Sequence, residues 1–439
     1  MSPRKEKPAI LGGPKSVTRD PGDIFRWPIV TEEDEEAVLE VLRRGGMSGT
    51  EVTKEFEKEY AAWMGMDLAL GYCNGTASLN AAMWACGVGA GDEIICPSVT
   101  YWASCTGALS LGAAVNFADI DVDTLCIDPK DIEHRIGPRT RAIVVVHYCG
   151  YPADMDPIMK IARKHKVRVI EDVSHAQGGL YKGRKVGTFG DAAAMSLMSG
   201  KSFAIGEAGM LVTNDRELYE RCIAYGHYER TGGASMYNPA DGQVTRQDLK
   251  EYKGIAMGGQ KHRMNQLCSA MGRVQLKYYE QRMADIQEGM NYFWDLLEGV
   301  PGIRAHRPPK GSGSTMAGWY AARGLYKSEE LGGLPCARFC EAVTAEGCGT
   351  APGCNYPLHL HPLFHTADLF HMGKPTMLSF GQRDVRQGRG SLPVSERSTE
   401  IMYGIPWFKH KDEAVIKQYA KAFRKVAEHA DELLAKARA

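Results

Sequence analysis

Lys201 lies in a turn rich in glycine and serine, between two runs of residues that are typical of β-strands. A lone charge is unusual there, and a lysine amine can form a Schiff base with an aldehyde. Upstream, a strand-like run over residues 167–171 is followed by Asp172. A carboxylate at a strand end can keep a pyridine nitrogen protonated, which makes the ring an electron sink. The two residues together point to the aldehyde cofactor pyridoxal 5′-phosphate (PLP).

Other side chains near these two could contact the same cofactor. Asp172 would equally suit the N-cap of a helix, and the sequence leaves that alternative open. His175 could reach a phenolic oxygen of the cofactor, or it could be a structural histidine. Tyr101 or Trp102 could stack on a flat ring, although an aromatic pair more often packs in a core or an interface.

Three segments could bind a phosphate group. Gly75 and Thr76 precede a predicted helix, where free backbone N–H groups attract anions, although a plain N-cap turn has the same pattern. Ser196 could add a hydroxyl group or simply pack in a tight turn. Lys261 stands at the start of a long predicted helix, where a cation opposes the helix dipole. A bound anion would compensate the charge of Lys261. The alternative is that Lys261 simply lies on a solvated face of the helix.

His359 and His361 are two residues apart in the sequence Pro-Leu-His-Leu-His-Pro. In an extended segment this spacing places both on one side. Two histidines are too few for a catalytic zinc site, so we predict no metal there. Contact with the substrate is the functional interpretation, and a pair of solvated loop histidines is the alternative.

Short apolar runs alternate with helical patterns from residue 68 to residue 215, which predicts a mostly parallel sheet covered by helices. In such sheets ligands bind at the carboxyl ends of the strands, where His147, Asp172 and the turn 196–201 are expected. The predicted strands are 93–96, 114–117, 142–147, 167–171, 192–197 and 210–213. Predicted helices include 31–44, 52–64, 76–86, 102–111, 157–166 and 412–437.

The expected organisation is a large domain and a smaller one. Residues 1–30 are rich in glycine and proline and suggest an N-terminal arm. Residues 31–297 would form the large cofactor-binding domain. Within it, the weakly periodic stretch 228–260 is a candidate lid or subunit contact, and residues 264–297 form a linking helix. Residues 298–439 would form the small C-terminal domain.

Composition excludes several classes of protein. The sequence has 53 basic residues (lysine and arginine) and 53 acidic residues (aspartate and glutamate). It therefore has no net positive charge that would favour binding to nucleic acid or to an anionic membrane. The 12 cysteines are scattered, which suits reduced thiols better than a disulfide framework. No apolar run reaches the roughly 20 residues of a membrane span. The first residues lack the apolar core of a secretory signal, and we expect a cytoplasmic enzyme.

An ordered series of motifs resembles the DegT/DnrJ/EryC1/StrS family of PLP-dependent sugar aminotransferases. The resemblance includes Asn-Gly-Thr-Ala-Ser-Leu at 74–79, Glu-Asp-Val-Ser-His-Ala at 171–176 and the lysine segment 196–209. It implies an α/β protein with the type I, aspartate aminotransferase-like fold. That fold has a large domain with a mostly parallel mixed sheet and a smaller C-terminal α+β domain. Further matches lie at 91–98, 119–121, 152–156, 181–191, 263–264, 357–360 and 392–397.

The resemblance also implies a role for individual residues. Lys201 would be the Schiff-base lysine, Asp172 would bind the pyridine nitrogen, and His175 would face the phenolic oxygen, where many members carry glutamine. Tyr101 matches the stacking aromatic, and Lys261 stands where many members place an asparagine that reaches the phosphate across a dimer. The family's phosphate contacts match Gly75, Thr76 and Ser196.

The implied reaction is a ping-pong transfer of an amino group from L-glutamate or L-glutamine to a keto sugar, with or without a nucleotide, or to a keto-cyclitol. The implied assembly is a homodimer with shared active sites. Three alternatives remain. A sugar dehydratase group of the same family carries histidine in place of the lysine, and Lys201 argues against it. A regulatory protein that binds the cofactor without turnover is the second, and a PLP enzyme that acts on amino acids alone is the third.

Overall fold

A seven-stranded mixed sheet forms the centre of the molecule, and its strand order is β1-β9-β8-β5-β4-β2-β3. The computed structural model describes residues 6–232 and 242–438. Strand β9 runs antiparallel to both of its neighbours, and the other neighbouring strands are parallel. The strands of this sheet are β1 Leu68–Tyr72, β2 Glu93–Pro97, β3 Ala114–Ala118, β4 Thr140–Val146, β5 Arg168–Asp172, β8 Ala192–Ser196 and β9 Gly209–Thr213.

The sequence of β4 shows why this sheet is buried on both faces. Ile143 and Val145 pack in one hydrophobic cluster, whereas Val144, between them, packs in another on the opposite face. Successive side chains of a strand point to opposite faces, so an uninterrupted apolar run needs a core on each side. All six predicted strands are confirmed, and β1 is a seventh that the sequence analysis missed.

Helices supply the layers that cover the sheet. Thr31 caps α1 with a capping box that includes Asp34, as the acids in its first turn indicate. The predicted C-terminal helix is divided in two near His429. The helices are α1 Glu32–Arg43, α2 Glu51–Met64, α3 Gly75–Ala85, α4 Ala103–Ser110, α5 Pro129–Arg135, α6 Met155–His165, α7 Arg216–Gly226, α8 Gln247–Lys250, α9 Gln266–Leu296, α10 Cys336–Ala345, α11 Pro393–Glu396, α12 Ser398–Ile401, α13 Glu413–Glu428 and α14 Ala430–Arg438.

A second, smaller sheet lies in the C-terminal part of the chain. Strands β10 Ile303–Ala305, β11 Arg323–Tyr326 and β12 Met402–Gly404 pair in antiparallel order, and α10 and α13 pack with them around a third core. The 31-residue helix α9 contacts α1 and α2 on one side and α13 on the other. It therefore joins the layers of the large sheet to the small sheet. Two short strands, β6 Leu180–Tyr181 and β7 Arg184–Lys185, form a separate hairpin.

The N-terminal segment packs against this C-terminal part. The buried carboxylate of Glu346 accepts hydrogen bonds from the backbone of Ala9 and from both the backbone and hydroxyl of Ser16. Lys425 of α13 forms an ion pair with the same carboxylate at 3.0 Å. Ile24 is fully buried in the same core. Residues at the two ends of the chain are thus held together by a buried charge cluster.

The candidate lid at 228–260 is only partly covered by the described residues. Positions 233–241 lie outside them, and the remainder contains a 3-10 turn at Tyr228–Arg230 and the short helix α8. Across the described ranges 6–232 and 242–438, no helix combines the length and the apolar character needed to cross a membrane.

Candidate active site

A cavity of about 440 Å³ lies at the carboxyl ends of β5 and β8. Its wall combines residues from the large sheet with residues that follow position 300. This is the position at which parallel α/β sheets bind ligands. Predicted residues that line the cavity are Gly75, Thr76, Tyr101, Asp172, His175, Ser196 and Lys201.

Lys201 is nearly buried, with only 7% of its surface exposed. Burial lowers the pKa of its amine to about 8, and the nearby Asp172 carboxylate opposes that shift. The Nζ atom lies 4.1 Å from the ring centroid of Tyr320. The backbone carbonyl accepts a hydrogen bond of 2.8 Å from the indole N–H of Trp27. The structure therefore holds a lysine whose neutral, nucleophilic form is accessible near neutral pH.

Asp172 ends β5 and points into the cavity. Its carboxylate accepts hydrogen bonds from the Ser104 hydroxyl at 2.7 Å and from the backbone N–H of Ser174 at 3.0 Å. In the described chain no helix begins at the residues that follow it, so the helix-cap alternative does not hold. These two donors leave lone pairs on the carboxylate oxygens for a further N–H group.

Glu171 precedes Asp172 and supports the same strand end from the opposite face. Its carboxylate forms a buried pair with His147 at 3.0 Å and accepts the backbone N–H groups of Gly187, Phe189 and Gly190. His147, which was expected at this edge of the sheet, thus serves the scaffold below the cavity.

His175 is buried, with 6% of its surface exposed. The backbone N–H of Cys149 donates to its Nδ1 atom at 3.2 Å, which assigns the ring proton to Nε2. Burial, followed by the positive charges of Lys201 and Arg323, lowers its pKa well below the ordinary value. The ring is therefore a neutral hydrogen-bond donor, which suits a phenolic oxygen.

Gln177 has a structural role outside the cavity. Its amide donates to the carbonyl of Ser196 at 2.6 Å and accepts from the hydroxyl of Ser202 at 2.8 Å. In this segment the histidine, and not the glutamine two residues after it, therefore lines the cavity.

The N-terminus of α3 forms the end of the cavity that suits an anion. Asn74 caps this helix by accepting the N–H of Ala77 at 2.8 Å. A Cβ atom on Gly75 would lie 2.7 Å from Cα of Ser196, so only glycine lets the helix end approach β8 this closely. Thr76 and Ser196 line the same end with hydroxyl groups. Free N–H groups, the helix dipole and these hydroxyls make this end of the cavity suitable for an anion such as a phosphate.

Tyr101 is the aromatic residue of the predicted pair that lines the cavity. Nearly half of its surface is exposed, and Trp102 packs beside it with ring centroids 4.9 Å apart. An exposed ring at a cavity wall is available for stacking on a flat ligand.

These residues together fit PLP. The cavity offers an amine for the aldehyde, a carboxylate for the pyridine nitrogen, a neutral N–H donor for the phenolic oxygen and a helix N-terminus for the phosphate. Within the described part of the chain, no group of three or more His, Cys, Asp or Glu side chains is arranged to hold a metal ion.

Three predicted residues lie outside the cavity of the single chain. Lys261 is exposed, and its amine lies 5.8 Å from the Tyr228 ring centroid. His359 is buried, within 2.7 Å of the Ser98 hydroxyl and 3.2 Å of Glu396. His361 is exposed and caps a 3-10 turn.

The expectation of an extended segment at these histidines is wrong. Residues Leu358–Leu360 form a 3-10 turn, so the two-residue spacing does not place His359 and His361 on one side. Proline on each side of this short sequence favours a turn over a strand. The substrate role of the two histidines stays a prediction.

Sequence reasoning missed the cavity wall that follows residue 300. Tyr320, Arg323, Cys354 and Asn355 all line the cavity. The Tyr320 ring contacts both Lys201 and His175, with its centroid 4.7 Å from that of the histidine. The only signal was an arginine at the start of an apolar run, which is too common a pattern to single out.

Known proteins share this sequence and this architecture. An L-glutamine:2-deoxy-scyllo-inosose aminotransferase of Streptomyces kanamyceticus is 32% identical over 92% of this chain and 93% of its own length. An L-glutamine:scyllo-inosose aminotransferase of Streptomyces griseus is 31% identical over 97% and 98%. The solved structure of an aminotransferase from Psychrobacter cryohalolentis covers 94% of this chain and 99% of its own, with a TM-score of 0.77 and 28% identity.

This structural similarity confirms the predicted fold, because the solved structural neighbours are PLP-dependent aminotransferases and this chain has the expected mostly parallel mixed sheet of seven strands. The model of one family matches residues 28–375, which is most of the chain. The chain therefore belongs to the DegT/DnrJ/EryC1/StrS aminotransferase family.

Proposed function

We propose that this enzyme transfers an amino group from L-glutamine or L-glutamate to the keto group of a cyclitol or a sugar. The aminotransferases of the family depend on PLP. The observation that carries the proposal is the meeting of Lys201 and Asp172 in one cavity with an anion site. Two relatives that match this chain over more than nine-tenths of its length act on inososes, which makes keto-cyclitols the first acceptors to test.

When bound, PLP supplies an electron-poor ring that stabilises negative charge on the carbon beside the transferred nitrogen. The Asp172 carboxylate, held by Ser104 and Ser174, keeps a proton at the pyridine nitrogen. The N-terminus of α3 fixes the phosphate. The neutral His175 donates to the phenolic oxygen through Nε2.

Lys201 performs the proton transfer. Because its pKa lies near 8, a useful fraction of its amine is neutral at neutral pH and can take a proton from the α-carbon of the donor. The same amine can return a proton in the second half of the reaction, on the carbon that was the keto group of the acceptor. One base therefore serves both halves of a ping-pong sequence.

The proposal includes a homodimer with shared active sites. Lys261 is exposed and close to the candidate lid, which suits a phosphate contact made across a subunit interface. We also propose a cytoplasmic location, because the 12 free cysteines suit a reducing compartment.

The first experiment is the absorption spectrum of the enzyme loaded with PLP, before and after adding L-glutamine or L-glutamate. Loss of the visible band and gain of a near-ultraviolet band would establish the donor half-reaction. Adding scyllo-inosose or 2-deoxy-scyllo-inosose should then restore the visible band.

The alternatives give different results in that experiment. A visible band that ignores both donors would favour a regulatory protein and contradict the proposal. If a keto sugar restores the visible band and no keto-cyclitol does so, the acceptor is a keto sugar. A dehydratase would release no aminated product, and Lys201 speaks against that reaction.

A further inference from the structure

Two cysteines meet beside the cavity, and the proposed amino transfer uses neither of them. Cys354 lines the cavity wall, and it is the only exposed cysteine among the 12 of the sequence, all of which the structure describes. Cys149 is fully buried in the 3-10 turn Tyr148–Gly150, which follows β4. The two thiols are joined by a hydrogen bond between their side chains. One thiol is thus open to the cavity, and the other lies directly behind it.

Contacts that do not involve sulfur hold the same two segments together. The Tyr148 hydroxyl donates to Oδ1 of Asn355 at 2.7 Å and accepts the backbone N–H of Asn355 at 3.3 Å. Tyr148 and Asn355 are the immediate sequence neighbours of Cys149 and Cys354. Cys149 has a left-handed backbone, with φ of 52°, which a residue with a side chain keeps only where its surroundings hold it. The meeting of the two thiols is therefore fixed by the backbone.

The surroundings give the two thiols different reactivity. The hydrogen bond with Cys149, and then the positive charge of Arg323, lower the pKa of Cys354, so that its thiolate is populated at neutral pH. Burial raises the pKa of Cys149 well above its ordinary value, so this thiol stays protonated. Because the thiolate is the nucleophile toward peroxides, Cys354 reacts first and Cys149 is the thiol within its reach.

A second pair of neighbouring thiols lacks this arrangement. Cys336 and Cys340 lie one turn apart on α10, and both are buried in the core around the small sheet. Neither residue lines the cavity. This pair is therefore an internal control for thiols that are close together but closed to solvent.

We propose that Cys354 and Cys149 form a reversible oxidation site, at which a hydroperoxide converts the two thiols into a disulfide that slows the donor half-reaction; the effect on the rate rests on the function proposed above. The Cys354 thiolate attacks one peroxide oxygen, the O–O bond breaks, and hydroxide leaves, which yields a sulfenic acid. The Cys149 sulfur then attacks the Cys354 sulfur, the S–O bond breaks, and the departing hydroxide takes the Cys149 proton as water. The peroxide gains the two electrons that the two sulfur atoms lose.

The disulfide changes the shape of the cavity because it shortens the distance between its two sulfur atoms. A disulfide holds them about 2 Å apart, far inside the distance of two non-bonded atoms. Its formation draws the turn at Cys149 toward the wall at Cys354. The backbone N–H of Cys149 donates to Nδ1 of His175 at 3.2 Å, so the movement reaches a residue that lines the cavity. A misplacement of about 1 Å can slow a reaction roughly 100-fold.

The experiment treats the PLP-loaded enzyme with hydrogen peroxide and then with dithiothreitol, and each reagent is removed before measurement. Unreduced peptides are mapped by mass spectrometry, and the donor half-reaction with L-glutamine is timed by absorption. The wild type is compared with Cys354→Ser and Cys149→Ser. Cys268→Ser is the matched control, because Cys268 is a partly exposed cysteine that does not line the cavity.

Peroxide should crosslink the peptides of Cys149 and Cys354 and slow the donor half-reaction roughly 10- to 100-fold, and dithiothreitol should reverse both effects. Cys354→Ser should form no crosslink, and its own starting rate should not fall with peroxide. Cys149→Ser should keep a sulfenic acid on Cys354, which dimedone labels. Cys268→Ser should respond as the wild type does, and Cys336 and Cys340 should stay reduced throughout.

Each contrary result is distinct. A wild type whose Cys149 and Cys354 peptides stay separate after peroxide would overturn the inference, as would a crosslink that leaves the rate unchanged. Equal oxidation of Cys336 and Cys340 would overturn it too, by showing that the cavity pair has no special reactivity. A wild type that does not react with either donor before peroxide is added would contradict the proposed function, and the peptide map would still decide whether the oxidation site exists.

Discussion

Two buried lysines, Lys201 and Lys409, have opposite surroundings. Lys409 is 6% exposed and Lys201 is 7% exposed. The amine of Lys409 lies over the ring of Trp407 and 5.4 Å from the ring centroid of Trp27, and burial lowers its pKa to about 6. The shift at Lys409 is thus the larger of the two, although it is not among the residues that line the cavity.

The comparison separates a perturbed pKa from a reactive site. Lys201 faces a cavity, and the Asp172 carboxylate limits the fall of its pKa. The amine of Lys409 has aromatic rings around it, and the carbonyl of Trp407 is its only hydrogen-bond acceptor among the described residues. Burial alone makes an amine neutral, but reaction also requires space for a substrate and a charge partner.

The largest expected difference is in turnover. Lys201→Ala should lower the rate of the donor half-reaction by at least about 1,000-fold, because the base is removed. Lys409→Ala should retain that rate within several-fold if the protein folds, because its amine does not reach the cavity. Stopped-flow absorption measures both, and a Lys201→Ala enzyme with normal turnover would remove the distinction between the two lysines.

Asp172 is the feature that Lys409 lacks, so Asp172→Asn tests its contribution. The amide cannot hold a positive charge at the pyridine nitrogen, and we expect a loss of roughly 100-fold in the donor half-reaction. Removing the carboxylate also removes the opposing effect on Lys201, so the pH midpoint for PLP uptake by the apoprotein should move below about 8. An unchanged midpoint would show that the two groups do not interact.

The two lysines should also differ in how they affect stability with pH. The folded-state pKa of Lys201 is about 8 and its ordinary value is 10.5, so below pH 8 the apoprotein buries a charged amine at a cost of up to roughly 3 kcal/mol. As pH rises from 8 to 10.5 this cost disappears, because the folded form has already lost its proton while the unfolded chain still holds one.

Lys201→Met should therefore be more stable than the wild-type apoprotein below pH 8, and the difference should vanish near pH 10.5. For Lys409→Met the difference in free energy of unfolding from the wild type should continue to grow as the pH falls to about 6, because the pKa of Lys409 is lower. Urea denaturation of both variants across this range measures the effect. If the free energies of unfolding of the two variants changed with pH in the same way, the difference in pKa between the two lysines would be contradicted.

Trp27 lies between Lys201 and Lys409, and its replacement should have the smallest effect of these substitutions. Its indole N–H donates to the Lys201 carbonyl at 2.8 Å, and its ring lies near Lys409. Trp27→Phe keeps a ring and loses the hydrogen bond, which should lower the free energy of unfolding by about 1 kcal/mol. The PLP uptake midpoint should stay near pH 8. A shifted midpoint would mean that this bond sets the position of the amine.

The sequence predicts the side of the site that belongs to the large sheet. Short apolar runs with helices between them define the parallel strands, and polar residues such as Asp172 at strand ends are visible because buried strands are otherwise apolar. Strand β1 was not predicted because Gly71 interrupts its run of only five residues and because its partner is the antiparallel strand β9. Short strands beside glycine carry little pattern.

The other side of the site depends on contacts between distant parts of the chain. Arg323 and Asn355 reach the cavity only because the small sheet packs against the large one, and no local pattern marks that docking. The turn at His359 shows the same limit, since an alternation of two residues predicts one face only if the backbone is extended. Family resemblance supplied roles for the large-sheet residues and none for this wall.

The charge cluster at Glu346 has a consequence for how the chain is made. Ser16 leaves the ribosome some 330 residues before Glu346, and Lys425 follows later still. At a synthesis rate of roughly 5–20 residues per second, the N-terminal segment waits tens of seconds for its binding site. The large sheet can assemble during that interval, whereas the charge cluster around Glu346 can form only after Lys425 has been synthesised.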